Sequence, residues 1–251
     1  MLIITILIAL FSFIALVVIH EFGHFILAKK FGAKVEEFGI FLPPRIFGKK
    51  IGETIYSINL LPFGAFVKIR GEEGGIEDYR SFIGKPIWQR VSIVLGGVVS
   101  FWIVAVILLT IVAGAWGLPT AAGLTGPYPW YEAPVHGIIA TAKLTANIVQ
   151  GWVMGLKNVM GIDKLPEDMK MEMFGPLGIF DLLRSYFELG INYFLFLISL
   201  ISVALALANI LPIPALDGGK LVFLAIESIR GKPINYKLEQ KITATCFILL
   251  I

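Results

Sequence analysis

Residues 2–30 read LIITILIALFSFIALVVIHEFGHFILAKK, an apolar run that ends in a cluster of ionisable side chains. The run supplies about 18 apolar residues before His20, enough for a helix to enter the hydrocarbon core of a bilayer. It lacks a basic start and a small-residue cleavage site, so it does not read as a signal peptide. Ionisable groups at membrane depth are energetically expensive and therefore indicate function. We expect a retained span over about residues 2–28, with a functional site near its end.

The motif His20-Glu21-Phe22-Gly23-His24 has the spacing of a helical zinc site. On a helix, His20 and His24 lie about one turn apart on one face, so that their imidazoles can bind a single ion. A neighbouring carboxylate that does not bind the metal can act as general base toward a zinc-activated water. The motif therefore predicts His20 and His24 as metal ligands and Glu21 as the catalytic base.

The composition predicts a polytopic membrane protein. Of the 251 residues, 57% are hydrophobic and only 16% are charged, against about 25% in an ordinary soluble domain. Two further uncharged runs, about 91–116 and 189–211, are long enough for spans, and the last run, 242–251, is about half a span. We expect an all-α architecture with three complete spans and a fourth in which the sequence stops. The lipid bilayer is an expected partner, and nucleic acid is not.

The distribution of cations predicts how the spans are oriented. Eleven Lys and Arg residues lie between residues 29 and 90, against five between 115 and 190. The positive-inside rule then places 29–90 in the cytoplasm and 115–190 outside.

The segments between the spans carry their own patterns. Residues 35–70 contain short β-branched and aromatic runs separated by Pro and Gly, which predict hairpins; from the residues alone, a small cytoplasmic sheet is favoured over an element that dips into the membrane. The Gly- and Pro-rich stretch 117–134 indicates a loop. Helical spacing over 136–162 predicts an amphipathic helix, which either lies on the outer membrane surface or packs over the spans.

A catalytic zinc normally has a third protein ligand. His136, the remaining histidine, lies in the segment predicted on the other side of the membrane, and the single cysteine, Cys246, cannot form a cysteine-rich site. Asp217 is the better candidate. The prolines and glycines of NILPIPALDGG, residues 209–219, must break the third span near the cytoplasmic face, and zinc would compensate a carboxylate buried there. Taken alone, Asp-Gly-Gly more often forms a cap or a turn.

The His20–His24 motif and the 209–219 segment together resemble the site-2 protease family of intramembrane zinc metalloproteases, in particular its bacterial RseP-type members. The similarity covers most of the chain. Residues 64–68 match the family's membrane-reentrant β-hairpin, residues 96–101 its second-span motif, and Gly175-Pro176 a segment found before its third span.

The resemblance implies a Zn2+ enzyme of the bacterial inner membrane, with its active site toward the cytoplasm. Its expected substrates are single-span membrane proteins, such as anti-sigma factors or signal-peptide remnants, cleaved within their transmembrane segments. It further implies a small cytoplasmic-side hairpin that enters the membrane and pairs with an unwound substrate as an added strand. On this basis the expected substrate-binding residues are Gly64, Ala65, Phe66, Val67, Ser100 and Asn209.

Two departures from the family pattern affect these expectations. RseP-type proteins carry one or two PDZ domains between the second and third spans, and no PDZ domain fits in this chain; either the chain is a member without the domain or the domain was deleted. The family's second-span motif usually reads Gly-Pro-x-x-Asn-Phe, whereas Ser100 stands here in place of the amide and can donate only one hydrogen bond.

Two other classes of function remain open from the residues. A polar site at a broken helix is also typical of transporters, so a membrane metal-binding protein or metal transporter is the alternative. A catalytically silent protein that binds membrane segments is the second alternative, although every catalytic residue type is present.

Overall fold

The computed structural model describes residues 2–72, 74, 78–120, 123–162, 176–232 and 234–250. In these ranges the chain forms seven α-helices and two antiparallel strand pairs. Their bounds are α1 Leu2–Lys30, β1 Val35–Ile51, β2 Thr54–Ile69, α2 Ile87–Ala115, β3 Pro119–Thr120, β4 Gly123–Leu124, α3 Ala133–Val159, α4 Pro176–Leu189, α5 Ile191–Ile210, α6 Asp217–Arg230 and α7 Tyr236–Leu250.

Three helices are long and apolar enough to cross a membrane, namely α1 from Leu7 onward, α2 and α5. They correspond to the three complete spans predicted from the sequence. The helix α2 begins at Ile87, four residues before the uncharged run, so its first turn includes the charged residue Arg90. The helix α7 has 15 residues, a length of about 22 Å against a hydrocarbon core of about 30 Å. The fourth span therefore stays a prediction.

The chain divides into two compact units. The first comprises the residues up to Ser12 together with Trp102–Ala204. Within it, α3 packs closely on α2, since a Cβ added to Gly137 would lie 2.3 Å from Oγ1 of Thr110. The amphipathic helix predicted over 136–162 thus starts earlier, at Ala133. Its first half packs on the spanning helix α2, which is the arrangement over the spans and not the one on the membrane surface. The predicted loop 117–134 contains the short pair β3–β4, and Gly175 lies outside the described residues.

The second unit comprises Phe13–Phe101 and the residues from Leu205 onward. Its core joins the end of α1, the base of the hairpin, α2 and α6, so the hairpin is anchored to the helices that carry the motifs. The buried side chains of this core are Ala28, Ala33, Val35, Ile69, Phe82, Ile93, Val94 and Leu224.

The predicted β structure over 35–70 is present as the antiparallel pair β1–β2, and both strands have an irregular register. Phe38 pairs with Val67 on one side and with Tyr56 on the other, because the segment 35–40 lies between the two halves of β2. The segment 65–69 pairs with 35–40 alone among the described residues. It therefore forms an edge of the sheet.

Candidate metal centre

The site begins with a close crossing of α1 and α2 at glycines. A Cβ on Gly23 would lie 2.2 Å from the carbonyl oxygen of Gly96, so the two backbones touch. A Cβ on Gly97 would lie 2.2 Å from Nε2 of His24 and 2.7 Å from Cε1 of His20. Small residues allow such close approach of helices. Here they also make room for both imidazoles.

Three ligand atoms converge beside this crossing. The Nε2 atoms of His20 and His24 lie 3.2 Å apart, and Oδ2 of Asp217 lies 3.3 Å from Nε2 of His20 and 3.4 Å from that of His24. Ligand atoms about 2.0–2.1 Å from a tetrahedral zinc lie about 3.3–3.4 Å from each other. Among the described residues, this is the group of His, Cys, Asp and Glu side chains whose geometry can hold a metal ion.

Contacts behind the imidazoles fix their orientation. Nδ1 of His24 lies 2.9 Å from the carbonyl oxygen of Ile93. Because a carbonyl only accepts, Nδ1–H donates to it and leaves the lone pair of a neutral His24 on Nε2, toward the other ligand atoms. The His20 ring stacks on Phe101 with 4.7 Å between ring centroids. Both imidazoles are buried.

Asp217 reaches the site because the polypeptide breaks between α5 and α6, as predicted. The helix α5 ends at Ile210 and α6 begins at Asp217. The new helix starts directly beneath the break, since Cβ atoms on Gly218 and Gly219 would lie 2.2 Å and 2.4 Å from carbonyl oxygens of the 210–213 turn. The positive end of the α6 dipole favours a carboxylate at its first residue. Oδ2 of Asp217 is buried, forms no hydrogen bond with the described residues and faces the imidazoles.

Two ion pairs hold α6 in place behind Asp217. Arg90 of α2 is buried and donates to both carboxylate oxygens of Glu227, at 3.0 and 2.5 Å. Lys220 pairs with Glu72 and lies 4.7 Å from the centre of the Phe82 ring. A bidentate guanidinium–carboxylate pair fixes relative orientation as well as distance. The pairs therefore position the helix that carries Asp217.

Glu21 lies beside the three ligand atoms without belonging to the group they form. Its Oε2 accepts a hydrogen bond from the backbone N–H of Val67, at 3.0 Å. A cavity of about 330 Å³ is lined by Glu21, His20, Asp217 and Asn209. The carboxylate can thus reach a reactant that enters next to the imidazoles.

The other residues predicted to bind substrate have different surroundings. Asn209 lines the cavity and donates through Nδ2 to the carbonyl of Leu205, at 3.0 Å. Ser100 is buried, donates to the carbonyl of Gly97 at 2.5 Å and does not line the cavity. The hydroxyl of Ser100 is therefore used within its own helix.

Of the hairpin residues, Val67 makes direct contact with the candidate base. Gly64 has a left-handed backbone (φ 87°), Ala65 is buried, and Phe66 lies over Gly39, whose added Cβ would meet the ring at 2.3 Å.

A second cavity of about 710 Å³ runs along Phe66–Ile69 and α7. It shares Lys220, Glu239 and Thr243 with the first cavity.

Some contributors carry little sequence signal. From the residues alone, Gly96-Gly97 indicates helix packing and Phe101 a core aromatic, and only the resemblance of 96–101 to the family's second-span motif marks them. A backbone carbonyl such as that of Ile93 is present in every residue and carries no signal. The ring of His136 stacks on Tyr128, and the group of ligand atoms found among the described residues does not include it.

Residues 8–251 match the model of the family described as Peptidase family M50. A candidate zinc metalloprotease of Clostridium perfringens is 28% identical over 317 residues, covering 97% of this chain and 94% of the relative. A second, from Fusobacterium nucleatum, is 24% identical and covers 98% of this chain and 95% of the relative. The regulator of sigma-W protease RasP of Bacillus subtilis is 43% identical over 109 residues, 43% of this chain and 24% of that protein.

Proposed function

Because the chain belongs to peptidase family M50 and is an intramembrane zinc metalloprotease, we propose that His20, His24 and Asp217 hold its zinc ion and that Glu21 is its general base. The observation that carries this assignment is the mutual spacing of the three ligand atoms, 3.2 to 3.4 Å, the edge length of a tetrahedral zinc site. Three protein ligands leave the fourth position open, as in catalytic zinc sites. The family membership does not favour the alternative of a metal transporter.

The side chains divide the chemistry between them. A zinc ion held by His20, His24 and Asp217 would supply Lewis-acid activation of the scissile carbonyl and of water. Glu21, within the same cavity, takes the proton from the attacking water and passes it to the leaving amine. The Ile93 carbonyl keeps the lone pair of His24 directed at the site, and the stack on Phe101 holds His20. The ion pairs of α6 hold Asp217 against the imidazoles.

The proposed substrates are transmembrane segments of single-span membrane proteins, cleaved within the bilayer. The name of the Bacillus subtilis relative, a regulator of sigma-W protease, suggests anti-sigma factors as one such class; signal-peptide remnants are another. A helical substrate must unwind first, because its hydrogen bonds occupy the carbonyls. The edge strand 65–69 offers it a strand to pair with, and Asn209 lines the adjacent cavity with an amide.

We further propose that the protein lies in the bacterial inner membrane with the metal centre toward the cytoplasm, in accord with the cation-rich segment 29–90. The hairpin carries exposed apolar side chains, among them Ile46, Phe47 and Leu60, which favours its entry into lipid. Its backbone then needs hydrogen-bond partners within the protein.

The chain is proposed to form one membrane-embedded metalloprotease domain without a PDZ domain. The alignment to the Clostridium perfringens relative extends over 317 residues, more than the 251 of this chain. The relative therefore contains positions that this chain lacks. The absence of a PDZ domain is compatible with that difference.

The test is cleavage of a single-span substrate by the purified protein in detergent, with the products located by mass spectrometry. Glu21→Gln keeps the size of the side chain and removes its basicity, so cleavage should fall by at least about 10²-fold. Glu188→Gln, at an exposed residue of α4, is the matched control and should cleave normally. Undiminished cleavage by Glu21→Gln, or products cut outside the apolar segment, would refute the proposal.

A further inference from the structure

The backbone N–H of Val67 is aimed out of the sheet and at the candidate base. Val67 pairs with Phe38, yet its N–H donates to Oε2 of Glu21, at 3.0 Å. In an antiparallel pair, backbone groups that do not bond across the ladder point to the opposite edge. The edge of 65–69 therefore faces α1 at the position of Glu21.

An open strand edge binds another strand through its outward N–H and C=O groups. At the edge of 65–69, the outward donor next to the metal centre already has an acceptor. One N–H forms one well-aligned hydrogen bond at normal length. A carbonyl of an added strand and the carboxylate of Glu21 must therefore compete for the N–H of Val67.

We infer that the hydrogen bond between Glu21 and Val67 is a latch that a docking substrate strand opens. The carbonyl of the added strand replaces Glu21 as acceptor, and the carboxylate becomes free to turn toward the scissile peptide. No covalent bond changes in this exchange. Docking of an extended segment thus releases Glu21 next to the scissile peptide bond. This inference rests on the proposed function.

The latch also explains why the base is held by the strand instead of by a side chain. The ligand His24 has its own partner, the carbonyl of Ile93, which a substrate strand on the hairpin does not touch. The partner of Glu21 is part of the docking edge itself. Strand docking therefore changes the surroundings of the base and leaves the partner of His24 in place.

Two substitutions at residue 21 separate the latch from catalysis. Glu21→Gln and Glu21→Ala both lack the base and both carry good helix formers, but only glutamine keeps an oxygen that can accept from Val67. Without a competing acceptor, the alanine variant should bind an added strand about three- to tenfold more tightly than the glutamine variant, the range of one hydrogen bond.

The experiment uses the full-length, zinc-loaded protein in detergent and a fluorescein-labelled ten-residue peptide of alternating Val and Thr. Affinity is measured by fluorescence anisotropy, and exchange of the Val67 amide by mass spectrometry. The control peptide is a proline decamer, which has no backbone N–H and adopts a polyproline II helix in place of a strand, and it should not distinguish the variants. Without peptide, the Val67 amide should exchange faster in Glu21→Ala than in Glu21→Gln; with peptide, it should be protected in both.

Equal affinity of the two variants, tighter binding by Glu21→Gln, or no binding to either variant would overturn the latch. Equal protection of the Val67 amide in the two variants without peptide would do the same. These outcomes are independent of the cleavage assay, because neither variant has the base. A wild-type protein that cleaves while the two variants bind alike refutes the latch and leaves the proposed function in place.

Discussion

Replacement of Gly97 by alanine should deprive the enzyme of zinc while leaving its helices folded. The added Cβ would lie 2.2 Å from Nε2 of His24. Ordinary contacts begin at 3.4 Å, so either the imidazole or the helix α2 must shift by about 1.2 Å. Displacements of about 1 Å cost on the order of 10²-fold in rate. The clash involves Nε2 of His24, the proposed ligand atom, so metal affinity should fall together with activity.

The assay is zinc content of the purified protein after dialysis, together with cleavage of a single-span substrate. Alanine favours a helix over glycine by about 0.5–1 kcal/mol, so the thermal midpoint should not fall through helix propensity. Gly155→Ala is the control, because a Cβ there meets nothing within 4 Å; it should keep both zinc and activity. Full zinc occupancy and normal cleavage in Gly97→Ala would refute the packing argument for this site.

Two further predictions concern the ion pairs. Glu227→Gln leaves Arg90 buried without its carboxylate and should lower the free energy of unfolding by about 3–5 kcal/mol; an unchanged denaturation midpoint would contradict this. Hydrogen bonds from Lys29 and Arg80 lower the pKa of the Glu53 carboxyl below its usual value of 4.5. The ionised carboxylate therefore stabilises the folded state above pH 4.5. This stabilisation is lost as the pH falls through the lowered pKa of the folded protein. Glu53→Gln should therefore cost at most about 1 kcal/mol at pH 7 and nothing in strong acid, and an equal loss at both pH values would argue against it.

Local spacing in the sequence predicts local geometry, which is why the motif on α1 could place the two imidazoles side by side. His20 and His24 are four residues apart, and the helix itself brings their rings together. The break at 209–219 is equally local, because proline removes hydrogen bonds wherever it occurs. Both features are present in the structure at the predicted residues.

Long-range pairing is what the sequence did not reveal. Arg90 and Glu227 are separated by 137 residues, and neither carries a pattern that marks the other as its partner. The same holds for the N–H of Val67, since every residue but proline has one. The role of Gly97 depends on how closely α1 approaches α2. That distance is set by the packing of the two helices against each other, and the pattern of apolar residues in either helix does not reveal it.

The ligand set is tested most directly by X-ray absorption spectroscopy of the zinc-loaded protein at the zinc edge. Two imidazoles and oxygen ligands, all at about 2.0–2.2 Å with no sulfur, are predicted for the wild type, and Asp217→Ala should lose most of its zinc. A spectrum with sulfur or with three or more imidazoles would contradict the assignment of His20, His24 and Asp217. So would an Asp217→Ala protein that binds zinc with an unchanged spectrum.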